Sequence, residues 1–281
     1  MRKPWIDSSL TFRARLPVLE RMIPITPELR DYALRKANFA SVKGELHEQD
    51  FILQFLLGNP CFPNAEGAVD YYLREGEKSA VQLAQILFQE LGLKKDPDGS
   101  ILEFAAGYGC VTRHLRGCLA PWQVISSDIH TEANAFNAAH FAVETLQSTT
   151  KPADFPRGRK FQAVFALSFF SHMPLATWSH WLRALWDCVA DGGFLIFTTQ
   201  GMASRQYLGN PVIPENGFWF HASSEQSDLS TQDYGQTIVT IPFVLDQVRT
   251  TLPSAYPRLI RPGYWWVHQD LFVIGRLPQA G

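Results

Sequence analysis

Residues 101–110 read Ile101-Leu102-Glu103-Phe104-Ala105-Ala106-Gly107-Tyr108-Gly109-Cys110. A short apolar run carrying one carboxylate leads into a small-residue turn, and the pattern from Val111 to Leu119 then predicts a helix. Gly107 and Gly109 let the backbone approach a ligand without Cβ interference, and the helix start offers unpaired N–H groups. Such a strand, turn and helix suit a nucleoside-bearing cofactor. Glu103 narrows the choice, because a carboxylate just before the turn repels a pyrophosphate but receives the ammonium of an amino-acid moiety. The next apolar run, Val124-Ile125-Ser126-Ser127-Asp128, closes on a second carboxylate placed to accept both ribose hydroxyls, with Ile129 beside it.

Outward from this unit the elements alternate. Upstream, Val81, Ala84, Leu87, Phe88 and Leu91 share one face of a helix expected over Ser79 to Leu91, ended by Asp96-Pro97-Asp98-Gly99. Downstream come a helix from Glu132 to Phe141, a nearly continuous apolar strand from Phe161 to Leu167, a helix from Trp178 to Ala190, a turn at Asp191-Gly192-Gly193 and a strand from Phe194 to Thr199. Parallel βαβ units of this kind predict a doubly wound α/β sheet. After a helix from Pro242 to Leu252, the runs Arg258 to Trp266 and Asp270 to Arg276 are joined closely enough to pair antiparallel.

On these residues the chain resembles the class I S-adenosylmethionine-dependent methyltransferases. Their first motif runs acidic-x-Gly-x-Gly-x-Gly, matched here by Glu103, Ala105, Gly107 and Gly109 with alanine replacing the first glycine. Asp128 and the terminal antiparallel hairpin match as well. The segments Tyr72 to Gly76, Phe165 to His172, Arg261-Pro262-Gly263 and His268-Gln269-Asp270 look like those of a bacterial small-molecule branch, and the likeness covers roughly residues 70–277. The resemblance implies a Rossmann-like, mostly parallel seven-stranded sheet with an antiparallel C-terminal hairpin. It implies S-adenosylmethionine as cofactor and transfer of a methyl group to an O or N atom of a small acceptor such as a sugar or specialised metabolite. It also places Tyr72 and Ser79 over the methionine carboxylate and Ser168 beside the methionine end, although Ser79 also reads as an ordinary helix cap.

Composition sets the frame. With 281 residues, 46% of them hydrophobic, the chain suits one core domain with an elaboration. Lys and Arg number 25 against 27 acidic residues, which argues against nucleic acid as a partner. The start of the chain shows no signal-like apolar stretch, and the uncharged run Phe161 to Leu182 is interrupted by His172 and Pro174, so a cytoplasmic protein without a membrane span is expected. Four scattered cysteines do not make a disulfide framework; Cys110, His114 and Cys118 share helical spacing but lack a fourth ligand, so no metal is expected. Residues 1–70, proline-rich with a helix candidate from Pro27 to Ala40, read as a helical cap over a core at 71–281. The cap suits a substrate lid and equally a dimerisation arm, which makes a homodimer one expected assembly.

Methyl transfer needs alignment and water exclusion more than polar machinery, and a base helps when a hydroxyl is the acceptor. His172, just past a strand tip, is the leading base candidate, balanced against a role in holding its own loop. His221 lies in the aromatic run Phe218-Trp219-Phe220 of an insertion loop at 201–236, with Asp233 and Tyr234 as weaker candidates. Trp265, Trp266 and His268 read as packing and turn residues of the terminal hairpin. Two other functions fit these residues: a non-catalytic S-adenosylmethionine-binding or assembly protein, and a nicotinamide-dependent oxidoreductase using the same Asp128, which Glu103 and the terminal hairpin disfavour.

Overall fold

β1 (Ser100–Phe104) is buried at all five positions, as a strand must be when helices cover both faces of its sheet. The computed structural model describes residues 22–39, 42–223 and 229–278. β1 pairs in parallel with β2 (Gln123–Asp128) on one side and β4 (Phe161–Ala166) on the other. β3 (Glu144–Gln147) extends the sheet beyond β2, and β5 (Val189–Gln200) lies beyond β4. The last strand, β9 (Gln269–Arg276), runs antiparallel between β5 and β8 (Ala255–Trp265). Along each strand the side chains alternate between two cores. Leu102, Phe104, Val164 and Phe197 join Trp178 and Trp186 on one face, while Ile101, Phe165, Ile196 and Leu271 join Leu83, Leu115 and Trp265 on the other.

Several expected boundaries shift. The helix expected at Ser79 begins fourteen residues earlier: α3 (Ala65–Ala84) is capped by Asn64, whose side chain accepts the Gly67 N–H, and it continues as a π-helical stretch over Gln85–Glu90. Ser79 therefore caps nothing. The buried face runs through Ala80, Leu83, Ile86 and Leu87, so Val81, expected inside, is 41% exposed. α3 also runs through residue 70, so one helix joins cap and core. The helix after β4, α6 (Leu175–Trp186), ends before Ala190, which already belongs to β5; Gly192 at φ +73° takes up the irregular register beside Phe161. The short β3 carries no strong apolar pattern and was not expected.

The insertion after β5 is more ordered than a loop. β6 (Phe218–His221) and β7 (Gln236–Val239) pair antiparallel, and β7 meets β5 at Gln200 opposite Ile238. β9 fills one edge of β5 and β4 leaves the other edge after Ala166, so the hairpin extends the sheet above the tip of β4. These strands bring the sheet to nine rather than seven.

The cap core packs Ile25, Leu29, Leu46, Leu53 and Leu56, from the segment leading into α1 (Pro27–Phe39), α1 itself, α2 (Phe51–Leu57) and their connection, against Val69 and Tyr72 of α3. Residues 1–21 of the expected cap lie outside the described residues. Asp50 caps α2, one carboxylate oxygen accepting the Ile52 and Leu53 N–H groups and the other the Tyr72 hydroxyl at 2.5 Å. Arg113, 5% exposed on α4 (Thr112–Leu119), binds both parts. Its guanidinium donates to the carbonyls of Lys43 (3.0 Å), Glu45 (3.1 Å) and Gly109 (3.0 Å) and to the Tyr72 hydroxyl (3.2 Å). Replacing Arg113 with Met strands these buried acceptors. The expected loss is about 3–5 kcal/mol in urea unfolding, with residues 42–57 becoming the first protease-cleaved segment; a loss below about 1 kcal/mol would show that the cap is held by its apolar contacts alone.

Candidate functional site

Glu103 and Asp128 stand on neighbouring strands, and the turn between β1 and α4 bends over both. Ala105 adopts φ +56° and Gly107 φ +54°, so the alanine at the first glycine position carries left-handed strain of roughly 1 kcal/mol. Its exposed side chain and Gly107, where an added Cβ would meet nothing within 4 Å, both face open space. Gly109 has a different task from the one expected. An added Cβ there would run into the Phe141 ring and lie 2.6 Å from Asn137 Oδ1, so this glycine lets the turn pack on α5 (Thr131–Phe141). Asn137 in turn donates to the Gly107 carbonyl at 2.9 Å.

Asp128 is buried and its carboxylate is already engaged. Oδ2 accepts the Gly107 N–H at 2.8 Å, while Oδ1 accepts the His130 N–H at 2.9 Å and lies 2.8 Å from His130 Nδ1. An ionised carboxylate offers about four acceptor positions, so protein donors leave about one for a ribose hydroxyl unless one of them moves. His130 escaped the sequence reading, although its place two residues after a functional carboxylate suits a local side-chain turn. Ile129, between them, has a backbone carbonyl that accepts from Gln147.

Glu103 faces the α3 and α4 side with Ile101, and its Oε2 accepts the Thr112 hydroxyl at 2.6 Å. Burial raises its pKa from 4.5 to about 8, opposed by the Thr112 hydrogen bond and assisted by the Asp128 charge. Thr112 was not singled out from the sequence, yet a hydroxyl in the first turn of α4 is well placed to reach back to the strand.

The structure gives the hydroxyls of Tyr72 and Ser79 protein partners. Tyr72 is 1% exposed and spends its hydroxyl on Asp50 and Arg113. Ser79, equally buried, accepts the Trp265 indole N–H at 3.1 Å. Both act in packing between α3, the cap and the terminal hairpin. His114 is a buried packing group and Cys110 a half-buried one; desolvation lowers the histidine pKa to about 4, and the Cys110 thiol contacts the Tyr72 carbonyl. Trp265 is fully buried, and Asp270 accepts the Gly263 N–H within the terminal hairpin.

Beyond β4, His172 and His221 come to opposite sides of Gly235. The His172 carbonyl accepts the Gly235 N–H, and its ring Nδ1 lies 2.9 Å from the Gly235 carbonyl. A carbonyl only accepts, so Nδ1 carries the proton in this contact. Tyr234 stacks on this ring at 4.5 Å with 5° between planes. An added Cβ on Gly235 would strike the His221 carbonyl and the Phe220 ring, so no other side chain fits between them. His221 itself is exposed and pairs across the hairpin with Gln236. Thr237 fastens the same hairpin to the Met173 carbonyl at 2.7 Å. A cavity of about 540 Å³ lies elsewhere, between α1, the segment around His47 and α5, and none of these candidate residues lines it.

A doubly wound sheet in this order, with β9 inserted antiparallel and two carboxylates on neighbouring strands under a glycine turn, defines the class I S-adenosylmethionine-dependent methyltransferases. The chain belongs to that family: the profile described as "Methyltransferase domain" matches residues 76–234. Among solved structures, an S-adenosylmethionine-dependent methyltransferase from Clostridium acetobutylicum superposes with a TM-score of 0.51 at 11% identity, over 73% of this chain and 92% of that one. DesVI of Streptomyces venezuelae gives 0.51 at 14% identity, over 74% and 95%. The glycopeptide N-methyltransferase MtfA, complexed with sinefungin, gives 0.50 at 14%, over 71% and 94%. At these identities the likeness is one of fold. No curated protein sequence matches the chain.

The two glycines should separate in experiment. Gly107→Ala is expected to leave the melting temperature within a few degrees of wild type and to weaken cofactor binding, whereas Gly109→Ala should lower stability by about 1–3 kcal/mol through overpacking. Calorimetry and thermal melting read both; equal effects at both positions would refute the division.

Proposed function

We propose that this protein transfers a methyl group from S-adenosylmethionine to an O or N atom of a small-molecule acceptor, a sugar or specialised metabolite. The observation that carries the reading is Glu103, a buried carboxylate at the cofactor edge with a pKa near 8. A cationic ammonium offsets that desolvation, whereas a pyrophosphate would worsen it, which sets aside a nicotinamide cofactor. Asp128 would take the ribose, Gly107 would leave room for the cofactor, and Ser168 would border its methionine end. His172 would accept the acceptor's proton as the new bond forms, with His221 and the aromatic hairpin bordering the acceptor. Acceptor choice would then lie with the cap and the 201–236 insertion, since both lie outside the parallel core. Among the described residues no helix is long and apolar enough to cross a membrane.

Two outcomes test this. At pH 7 the free protein holds Glu103 mostly protonated, so S-adenosylmethionine should displace close to one proton on binding, and its affinity should rise between pH 6 and 8; titration in buffers of different ionisation enthalpy measures the proton. The unfolded chain releases that proton near pH 4.5, so the contribution of Glu103 to stability is complete below that value and is lost as pH rises toward 8. Glu103→Gln should therefore melt higher than wild type at pH 8 while losing cofactor affinity, and tight binding by this variant would refute the assignment.

His172→Ala should lower kcat on a responsive acceptor by about 10²-fold or more and leave S-adenosylmethionine affinity nearly unchanged. A panel of amino sugars, sugars and phenols supplies the acceptor. A loss below about threefold would make His172 a holder of its loop.

A further inference from the structure

Ser168 holds an unusual backbone for its residue type. At the tip of β4 it adopts φ +61°, the left-handed region that a non-glycine residue enters at a cost. Its polar atoms belong to a ring of hydrogen bonds with a fixed direction. The Ser168 N–H donates to Thr198 Oγ1 at 2.8 Å, Thr198 donates to Gln269 Oε1 at 2.6 Å, and Gln269 Nε2 donates to Ser168 Oγ at 2.8 Å. A backbone N–H can only donate, so the polarity of the whole ring follows from its first bond. Thr198 is fully buried and Gln269 is 3% exposed, so the ring is rigid and dry on its inner side. The Ser168 oxygen accepts within the ring, and among the described residues nothing accepts its own proton.

β4 ends at Ala166, so the bond to Gln269 rather than the strand alternation sets the face of that donor. Counting by twos along the strands puts Thr198 with Ile196, Gln269 with Leu271 and Glu103 with Ile101, all on the α3 and α4 side of the sheet. β4 pairs directly with β1, Ala166 standing opposite Phe104, and Ser168 follows two residues later. The ammonium and carboxylate of an amino acid share one carbon, so a group meeting the carboxylate must lie beside the group meeting the ammonium. We propose that Ser168 donates its hydroxyl proton to the carboxylate of the methionine portion of S-adenosylmethionine, and that Gln269 and Thr198 are positioning residues that turn the proton toward it. This rests on the cofactor reading above and adds the group that recognises the second charge.

The test compares S-adenosylmethionine with methylthioadenosine, which keeps the nucleoside and sulfur but lacks the amino-acid group, by calorimetry on the full chain. Ser168→Gly should weaken S-adenosylmethionine by about tenfold or more and leave methylthioadenosine unchanged, because the lost bond involves a charged partner. Glycine adopts this φ freely, which offsets the lost Gln269 partner, so the variant should still melt cooperatively as a folded protein. Gln269→Glu should weaken S-adenosylmethionine selectively too, since a carboxylate there draws the Ser168 proton inward and repels the ligand's own carboxylate. Ser168→Gly that binds both ligands as wild type does, or loses both equally, would overturn the proposal. Wild-type protein that binds S-adenosylmethionine no better than NAD would overturn the cofactor reading itself and this proposal with it.

Discussion

The hydrogen bond from the Gly107 N–H to the Asp128 carboxylate closes the turn after β1 onto the tip of β2, and the site is arranged around it. Parallel pairing of β1 with β2 sets the two strand tips side by side. The turn then has to leave β1 through two left-handed residues, Ala105 and Gly107, and such a path persists only where its surroundings hold it. Asp128 holds one side and Asn137 the other, through the Gly107 carbonyl. Close packing of Gly109 on Phe141 completes the clamp by bringing α5 against the turn. Asp128 is thus a structural partner of the turn in its own right, which is why its carboxylate is crowded with protein donors.

Glu103 shows the opposite economy. It is buried with one hydroxyl partner and no cation among the described residues, so its charged form is disfavoured. A fold built only for stability would place an apolar side chain there. A ligand that brings positive charge recovers the desolvation energy, and a neutral or anionic one does not, so the same burial supplies both affinity and discrimination. The Ser168, Thr198 and Gln269 ring adds a dry, directed donor on the same face of the sheet. In the proposed reading, burial of one carboxylate and orientation of one hydroxyl are two halves of a single recognition problem.

The parts outside the parallel core attach by contacts between residues far apart in the chain. Arg113 reaches back to the carbonyls of Lys43 and Glu45, and Gly235 reaches back to His172. Both attachments use backbone carbonyls or N–H groups on one side, and those carry no residue-type signal. The cap and the hairpin consequently looked irregular in sequence, although each is ordered by buried hydrogen bonds.

What the sequence by itself determined was the parallel centre of the sheet and its terminal hairpin, while β3, β6 and β7 came only with the structure. Apolar runs closing on Glu103 and Asp128, the glycine turn, and the two terminal strands reveal their identity through local periodicity and turn chemistry, and all lie where they were expected within a few residues. The tertiary structure decided the roles that depend on which buried group meets which. Tyr72 and Ser79 carry suitable hydroxyls near the expected place in the chain, but Arg113, Asp50 and Trp265 take them up. Gly109 resembles Gly107 in the motif, yet one packs on a helix and the other opens toward solvent. Thr112, His130, Gln269 and Thr198 are unremarkable in sequence because a hydroxyl, imidazole or amide acquires direction only from its partner. Periodicity is a property of neighbouring residues and survives in the linear chain; the direction of a buried hydrogen bond belongs to pairs brought together by folding.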